Sequence, residues 1–452
     1  MTSTNETGLK RTLTLWQVVF LGMAWNTPMI YFSVYGVAVE GASGYLTPAY
    51  TLAVLAVLLT GASYAVMAKK IPISGSAYTF AKKAIHPNVG FLVGWVLLLN
   101  YLFAPIIAAI TFGIFLGAQF PAVPTFAWVA LLVGALAFIA IMGIRSSANV
   151  SRVIVLSQLV FLVAFMTILV VQITQGTGAG TLLSTTPFLS PELTIPMAFA
   201  GASVVVFSFL GFDTMTTLSE ETIDSKKTIP RAIFIMIGIV GTTHVGISYF
   251  GHLAYPAFTF ANPDSAAMEL MMVVGGSALS AVFITVLIAA IFAQGLASVT
   301  AASRLLFVMG RDEILPKQIF AKLHPTRKTP VNNIIIISVL SFGALFIPLD
   351  TAMLFVNFGA LTTFLFVNLS VINLYLKEKT SYNSSFAYQF ANLYTPLCGA
   401  GFMMLLIFMI DPSAIMVGLA WTFAGVVYLL YMTNMFSKPL PQISRKKTAR
   451  VN

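Results

Sequence analysis

Apolar residues run through this chain in long blocks, with polar residues gathered between them. Twelve blocks are of the length a helix needs to cross a hydrocarbon layer of about 30 Å, roughly 20 residues. Their limits are 13–39, 47–68, 90–117, 125–144, 151–174, 197–219, 231–255, 278–308, 333–349, 351–376, 394–410 and 414–434. The pattern predicts an all-α integral membrane protein with twelve transmembrane helices, spans 1 to 12. The polar segments are too short to hold a soluble domain, so residues 1–452 form one membrane domain. Two segments carry short amphipathic patterns bounded by Pro or Gly, as interfacial helices do: "KKIPISGSAYTFAKKAIHP" after span 2 and "RDEILPKQIFAKLHPTRKTP" after span 8. A further short helix is expected within Tyr255 to Gly275. The tail from Ser437 to Asn452 reads as a disordered basic end near anionic lipid.

Span 1 is interrupted by "GMAWNTPMIYF". Counted from Leu13, Pro28 falls about 22 Å along the helix axis, near the middle of the membrane. A helical proline removes one backbone hydrogen bond and clashes with the carbonyl four residues earlier, at a cost of about 3 kcal/mol. Thr27 and Pro28 stand in the order that starts a new helix, N-cap then first position. The stretch therefore predicts two half-helices joined by an unwound "WNT", although an ordinary proline kink fits this stretch taken alone. A second interruption lies five spans later, in "VFSFLGFDTMTTLSEET", where Ser208, Gly211 and Asp213 break an apolar run. Interrupted helices at matching places of two halves point to a secondary transporter with inverted repeats and a site between the breaks. Asp213 is an ionisable group inside a span, expensive there and functional by default. It could hold a substrate ammonium, take up a coupling proton or act as a gate; the plainer reading is an interfacial carboxylate.

Composition sharpens this picture. With 58% hydrophobic and 8% charged residues, the chain cannot be a soluble globule. Its net charge of +10 is topological. Numbering the loops alternately puts all 24 Lys and Arg on one side, which predicts cytoplasmic termini and no nucleic-acid partner. Cys398, the only cysteine, excludes an intrachain disulfide. No cleavable signal peptide is expected, because the first apolar block is too long. Asn149 and Asn383 match the glycosylation pattern but fall in predicted cytoplasmic loops. An enzyme is disfavoured: His86, His244, His252 and His324 are scattered, and no nucleophile has a recognisable partner. A channel would line its pore with repeated polar rings, which are missing here. A nutrient sensor on a transporter fold remains an alternative.

The strings "LTLWQVV", "GSAYTFAKK", "NVGFLVGW", "FSFLGFDTMTTLSEET", "IPRAIF", "SRLLFVMGRD" and "NFGALTTFLFVNLSV" resemble the amino acid, polyamine and organocation transporter superfamily, most closely its putrescine-importer branch. The resemblance covers nearly the whole chain. It implies inverted five-helix repeats at 12–196 and 197–380, broken helices 1 and 6, peripheral helices at 394–434, and alternating access around a central site. Carried over, the site would comprise Trp25, Asn26 and Thr27, with the N–H groups of Met29 and Ile30 pointing inward. Span 6 would add Phe207 as outer gate, Ser208, Phe209, Gly211 and Asp213. Span 3 offers Asn100 and Tyr101, span 8 Gln294 and Ser298, and span 10 Asn357. In the putrescine branch the positions matching Ser33 and Asn100 are Asp, whereas both are neutral here.

A dication needs carboxylates to offset its desolvation, so the preferred substrate is an amino acid or related monoamine, with putrescine as the alternative. The start of the second half-helix suits a carboxylate, although Pro28 removes one donor. Some proton-coupled relatives carry a Lys where Gln158 stands, which leaves Asp213 as the leading proton carrier and His244 as a second candidate. An exchanger, or sodium near Ser298, stays open. Glu220 and Glu221 with Lys226 to Arg231 could form an inner gate, and Tyr78 belongs to a loop that moves with gating in the family. The expected partners are a small solute and the bilayer, with no cofactor beyond an ion gradient. The expected location is a bacterial inner membrane, and the oligomeric state is open.

Overall fold

In a computed structural model, described for residues 11–143, 148–256, 258–327, 329–378, 385–438 and 440, the chain is helical, with one isolated bridge between Leu13 and Thr222. The expectations placed on the tail beyond Leu440, on Arg145 and on Asn383 lie outside these residues. The helices are α1 (Leu15–Asn26), α2 (Ile30–Ser33), α3 (Tyr35–Gly41), α4 (Leu46–Lys70), α5 (Ser76–Ala84), α6 (Pro87–Gln119), α7 (Thr125–Met142), α8 (Ala148–Thr174) and α9 (Ile195–Val205). There follow α10 (Ser225–Ala254), α11 (Ala266–Arg311), α12 (Lys317–Phe320), α13 (Val331–Ser341), α14 (Leu349–Lys377), α15 (Phe386–Gln389), α16 (Thr395–Met409) and α17 (Pro412–Met432).

Among the described residues, ten helices are long and apolar enough to cross a membrane, or eleven with the bent first segment. The helix over Val331–Leu345 is shorter. The molecule is a multi-pass membrane protein. α11 is broken at Gly276, whose φ of 63° and ψ of −158° suit glycine; the part before it is the short helix expected within Tyr255 to Gly275, and the part after it begins where span 8 is expected, at 278. Other features differ from the sequence reading. The segment after α11 holds only the one-turn α12. The first segment bends by 68° between Leu15–Ser33 and Tyr35–Gly41, a second irregularity beyond the proline.

In the core α4 packs along α10, and α6 along α14, with α1 seated against α8, α10 and α11. Interhelical polar contacts hold the frame. Asn368 of α14 donates to Thr60 at 3.0 Å and accepts from Ser63 at 2.6 Å, both on α4. Where lipid offers no hydrophobic drive between helices, such bonds and close packing bring them together. Trp95 and Trp421 stack 5.1 Å apart, and each indole donates to the other's backbone carbonyl at 2.9 Å, clamping α17 onto α6.

Candidate functional site: two helix breaks around a small cavity

The first break is shorter and later than the sequence suggests. Trp25 and Asn26 still belong to the last turn of α1, and the irregular residues are Thr27, Pro28 and Met29. Thr27 is not the N-cap of the second half. It takes φ 47°, ψ 107°, while Met29 precedes α2.

The second break is more extended. α9 tightens into a 3-10 turn at Val206–Phe209, Leu210 is extended, Gly211 has φ 119°, and a second 3-10 turn covers Thr214–Leu218. Gly211 is required twice: its φ is strained for any other residue, and a Cβ there would come within 2.7 Å of Trp25.

Asn26 joins the breaks. Its amide donates to the carbonyls of both Ser208 and Leu210 at 2.8 Å. Those bonds fix the amide orientation and leave Oδ1 buried without a partner.

The backbone donors expected to face a ligand are occupied. The Met29 N–H reaches Gln158 Oε1 at 3.2 Å, the Thr27 hydroxyl donates to the same oxygen at 2.6 Å, and the Ile30 N–H turns back to Thr27 O at 2.8 Å. The expectation that Met29 and Ile30 offer free N–H groups is therefore corrected: α8 and the local turn consume them. The Gly211 N–H is likewise taken, at 3.1 Å, by Asp213 Oδ1.

Between the breaks lies a cavity of about 10 Å³, room for a single water. Trp25, Asn26, Ile30, Asn100, Phe207 and Gln294 line it, with Ala104, Leu210 and Val356. No charged side chain does. Asn100 Nδ2 is buried and unpartnered, as is Asn357 Oδ1; Asn357 donates to Val204 O at 3.2 Å. Asn357 does not line the cavity; its neighbour Val356 does.

Other candidates lie outside the lining. Tyr101 meets Trp25 at a tilt, with ring centroids 5.1 Å apart. Phe209 faces away, against Tyr50 and His244. The Ser208 hydroxyl meets Tyr50 at 3.2 Å, and Ser298 bonds Gly295 O in its own helix at 2.8 Å. Asp213 is the one buried carboxylate among the described residues; its Oδ2 has no partner, and Ser76 reaches its backbone carbonyl at 3.4 Å. His244 Nε2 lies 3.1 Å from Pro28 O.

Contacts also tie the ends of the broken helices to their neighbours. On one face the Pro263 carbonyl packs against Gly36, and Phe258 lies 6.3 Å from Tyr35. On the other, the Thr12 and Leu13 N–H groups donate to Glu221 O at 2.9 and 3.0 Å, and Ile223 N–H to Leu13 O at 2.9 Å. Tyr78 of α5 donates to Asp312 at 3.0 Å, and Lys82 pairs with the same carboxylate at 3.5 Å. Burial, and then the Asp312 carboxylate, push the Tyr78 phenol well above its usual range, so it stays a donor. Among the described residues, the charged groups at this end make the following contacts. Glu221 lies 3.8 Å from Arg304, Glu220 accepts from the Ser74 N–H at 3.2 Å, and Lys227 meets Asp224 at 3.4 Å.

Sequence reasoning missed Ala104, Leu210 and Val356, all apolar. Ala104 could have been found one helical turn beyond Asn100, whereas the choice of Val356 over Asn357 depends on how α14 is rotated.

Broken helices meeting at a small cavity inside a multi-pass membrane protein fit a solute transporter rather than an enzyme. The comparisons agree: the chain belongs to the amino acid permease family, whose profile matches residues 13–445. It is 38% identical over 442 residues, 97% of both chains, to the low-affinity putrescine importer PlaP of Escherichia coli K12. It is also 29% identical to the methylthioribose transporter of Bacillus subtilis, over 94% of both chains. The branched-chain amino acid permease BcaP of Bacillus subtilis is 26% identical over 83% of each chain.

Proposed function

We propose that this protein is a secondary transporter that imports a small amine-bearing solute by alternating access, with Asp213 carrying the coupling proton. In this reading the chain crosses the bacterial inner membrane twelve times as two inverted five-helix repeats and two peripheral helices, with both termini cytoplasmic. The uneven distribution of Lys and Arg supports the orientation.

The observation that carries the substrate reading is the imbalance of free groups at the breaks. Acceptors are available at Asn26 Oδ1 and Asp213 Oδ2, while the N–H groups of Met29, Ile30 and Gly211 are taken. An ammonium would meet Asn26 Oδ1 at the cavity, with Asp213 Oδ2 beyond the lining; a carboxylate would meet the side-chain N–H groups of Asn100, Gln294 and Trp25 rather than backbone N–H groups. A monoamine or an amino acid, each with one ammonium, fits this set. A diamine is the second reading, supported by the importer relative. Against it stands the scarcity of carboxylates, since Ser33 and Asn100 are neutral and a second ammonium would sit in low dielectric without a counter-charge.

The test is uptake into proteoliposomes, with and without an inward proton gradient, of labelled putrescine, labelled monoamines and labelled amino acids in parallel. Saturable, gradient-driven uptake of a monoamine or an amino acid but not of putrescine supports the first reading. Saturable, gradient-driven putrescine uptake supports the second, and uptake of none of them overturns both.

A further inference from the structure

The unwound turn of the first helix has its polar groups answered from two opposite helices. A continuous helix would satisfy Pro28 O with the Phe32 N–H, but that group goes to Met29 O at 3.0 Å. His244 of α10 takes its place. Because a carbonyl only accepts, Nε2 carries the proton and donates at 3.1 Å, which assigns the tautomer; Nδ1 is buried with no partner.

The imidazole is held by aromatic rings rather than by other polar groups. Tyr31 and Tyr50 lie 5.4 Å from its centroid and Phe209 5.7 Å. Tyr31 follows the first break, and Phe209 lies within the second. From the other side Gln158 of α8 accepts from both Thr27 and Met29 with one oxygen. Flipping its amide would set Nε2 against the Met29 N–H, so its orientation is fixed, and Nε2 is left unpaired. Neither His244 nor Gln158 lines the cavity.

We propose that His244 and Gln158 are the two clasps of the hinge in the first helix, positioning residues that hold the closed conformation without touching substrate. Swinging α1 away from α2 requires that Pro28 O leave His244 and that Thr27 and Met29 leave Gln158. A buried carbonyl without its donor is costly, so the closed arrangement of the break is kept while both clasps are made. The unpaired Nδ1 and Nε2 atoms give each clasp a second hydrogen-bonding position to use once the hinge has moved.

The test needs no substrate. Cys398 is replaced by Ser, and Ala104→Cys places a reporter thiol on the cavity wall. The rate of labelling by a water-soluble maleimide then reads how often the cavity opens. His244→Phe keeps ring packing but removes the donor, and labelling should accelerate about fivefold, the effect of one net hydrogen bond. His244→Gln restores a donor and should return the rate towards the parent. Gln158→Leu should accelerate labelling independently, and it carries the test should His244→Phe not reach the membrane. Unchanged labelling in His244→Phe and Gln158→Leu overturns the proposal. So does a His244→Gln rate equal to that of His244→Phe, because ring shape rather than the hydrogen bond would then be at work.

Discussion

Asn26 and Ser208, 182 positions apart, are joined where each lies at a break: the Asn26 amide donates at 2.8 Å to the Ser208 carbonyl and, with its other hydrogen, to Leu210. Two helices that surrender backbone hydrogen bonds in the same layer recover them from one side chain. A polar backbone at membrane depth is tolerated only where it is answered in this way or lines a cavity.

Asn26→Ala should therefore strand two buried carbonyls, at about 1–3 kcal/mol each. The expected result is a lower thermal unfolding temperature in detergent and loss of uptake in proteoliposomes. Unfolding at the parent temperature with normal uptake would show that water replaces the amide.

Gly211→Ala combines a strained φ of 119° with a Cβ 2.7 Å from Trp25. Strain of this kind costs about 1–3 kcal/mol, and pushing Trp25 aside should also disturb the cavity wall. Uptake should fall at least as far as stability does. A stable, fully active Gly211→Ala variant would mean that the second break has another accessible shape.

Asp213→Asn keeps the shape of the side chain and removes the charge. If Asp213 carries the coupling proton, the variant should lose accumulation driven by an inward proton gradient and keep exchange of labelled for unlabelled solute. Gradient-driven accumulation at the parent level would move coupling elsewhere in the molecule.

Trp95→Phe tests the frame at a distance from the cavity. It deletes the part-buried bond to Trp421 O, worth about 1 kcal/mol net. The unfolding temperature should drop, and the KM for the transported solute should stay within twofold, about 0.4 kcal/mol. A large change in KM would tie α17 to the transport cycle.

Much of this molecule could be read without coordinates. Apolar blocks of bilayer length, the Lys and Arg on alternate loops and the Thr27–Pro28 and Gly211–Asp213 interruptions follow from the energetics of lipid and of proline, which act locally. What could not be read was the use of each polar group. Whether the Met29 N–H points at a ligand or at Gln158 depends on a helix more than a hundred residues away. Whether Phe209 walls a cavity or packs beside His244 depends on the rotation of a 3-10 turn.

By itself the sequence determined that this is a multi-pass membrane protein and where two of its apolar helices break, because hydrophobic length and proline geometry are properties of short segments. Only the tertiary structure decided which donors and acceptors remain free at those breaks. Hydrogen bonds are exclusive, and when Gln158, His244 and Asn26 are brought in by packing, they claim the groups that a sequence reading assigns to the solute.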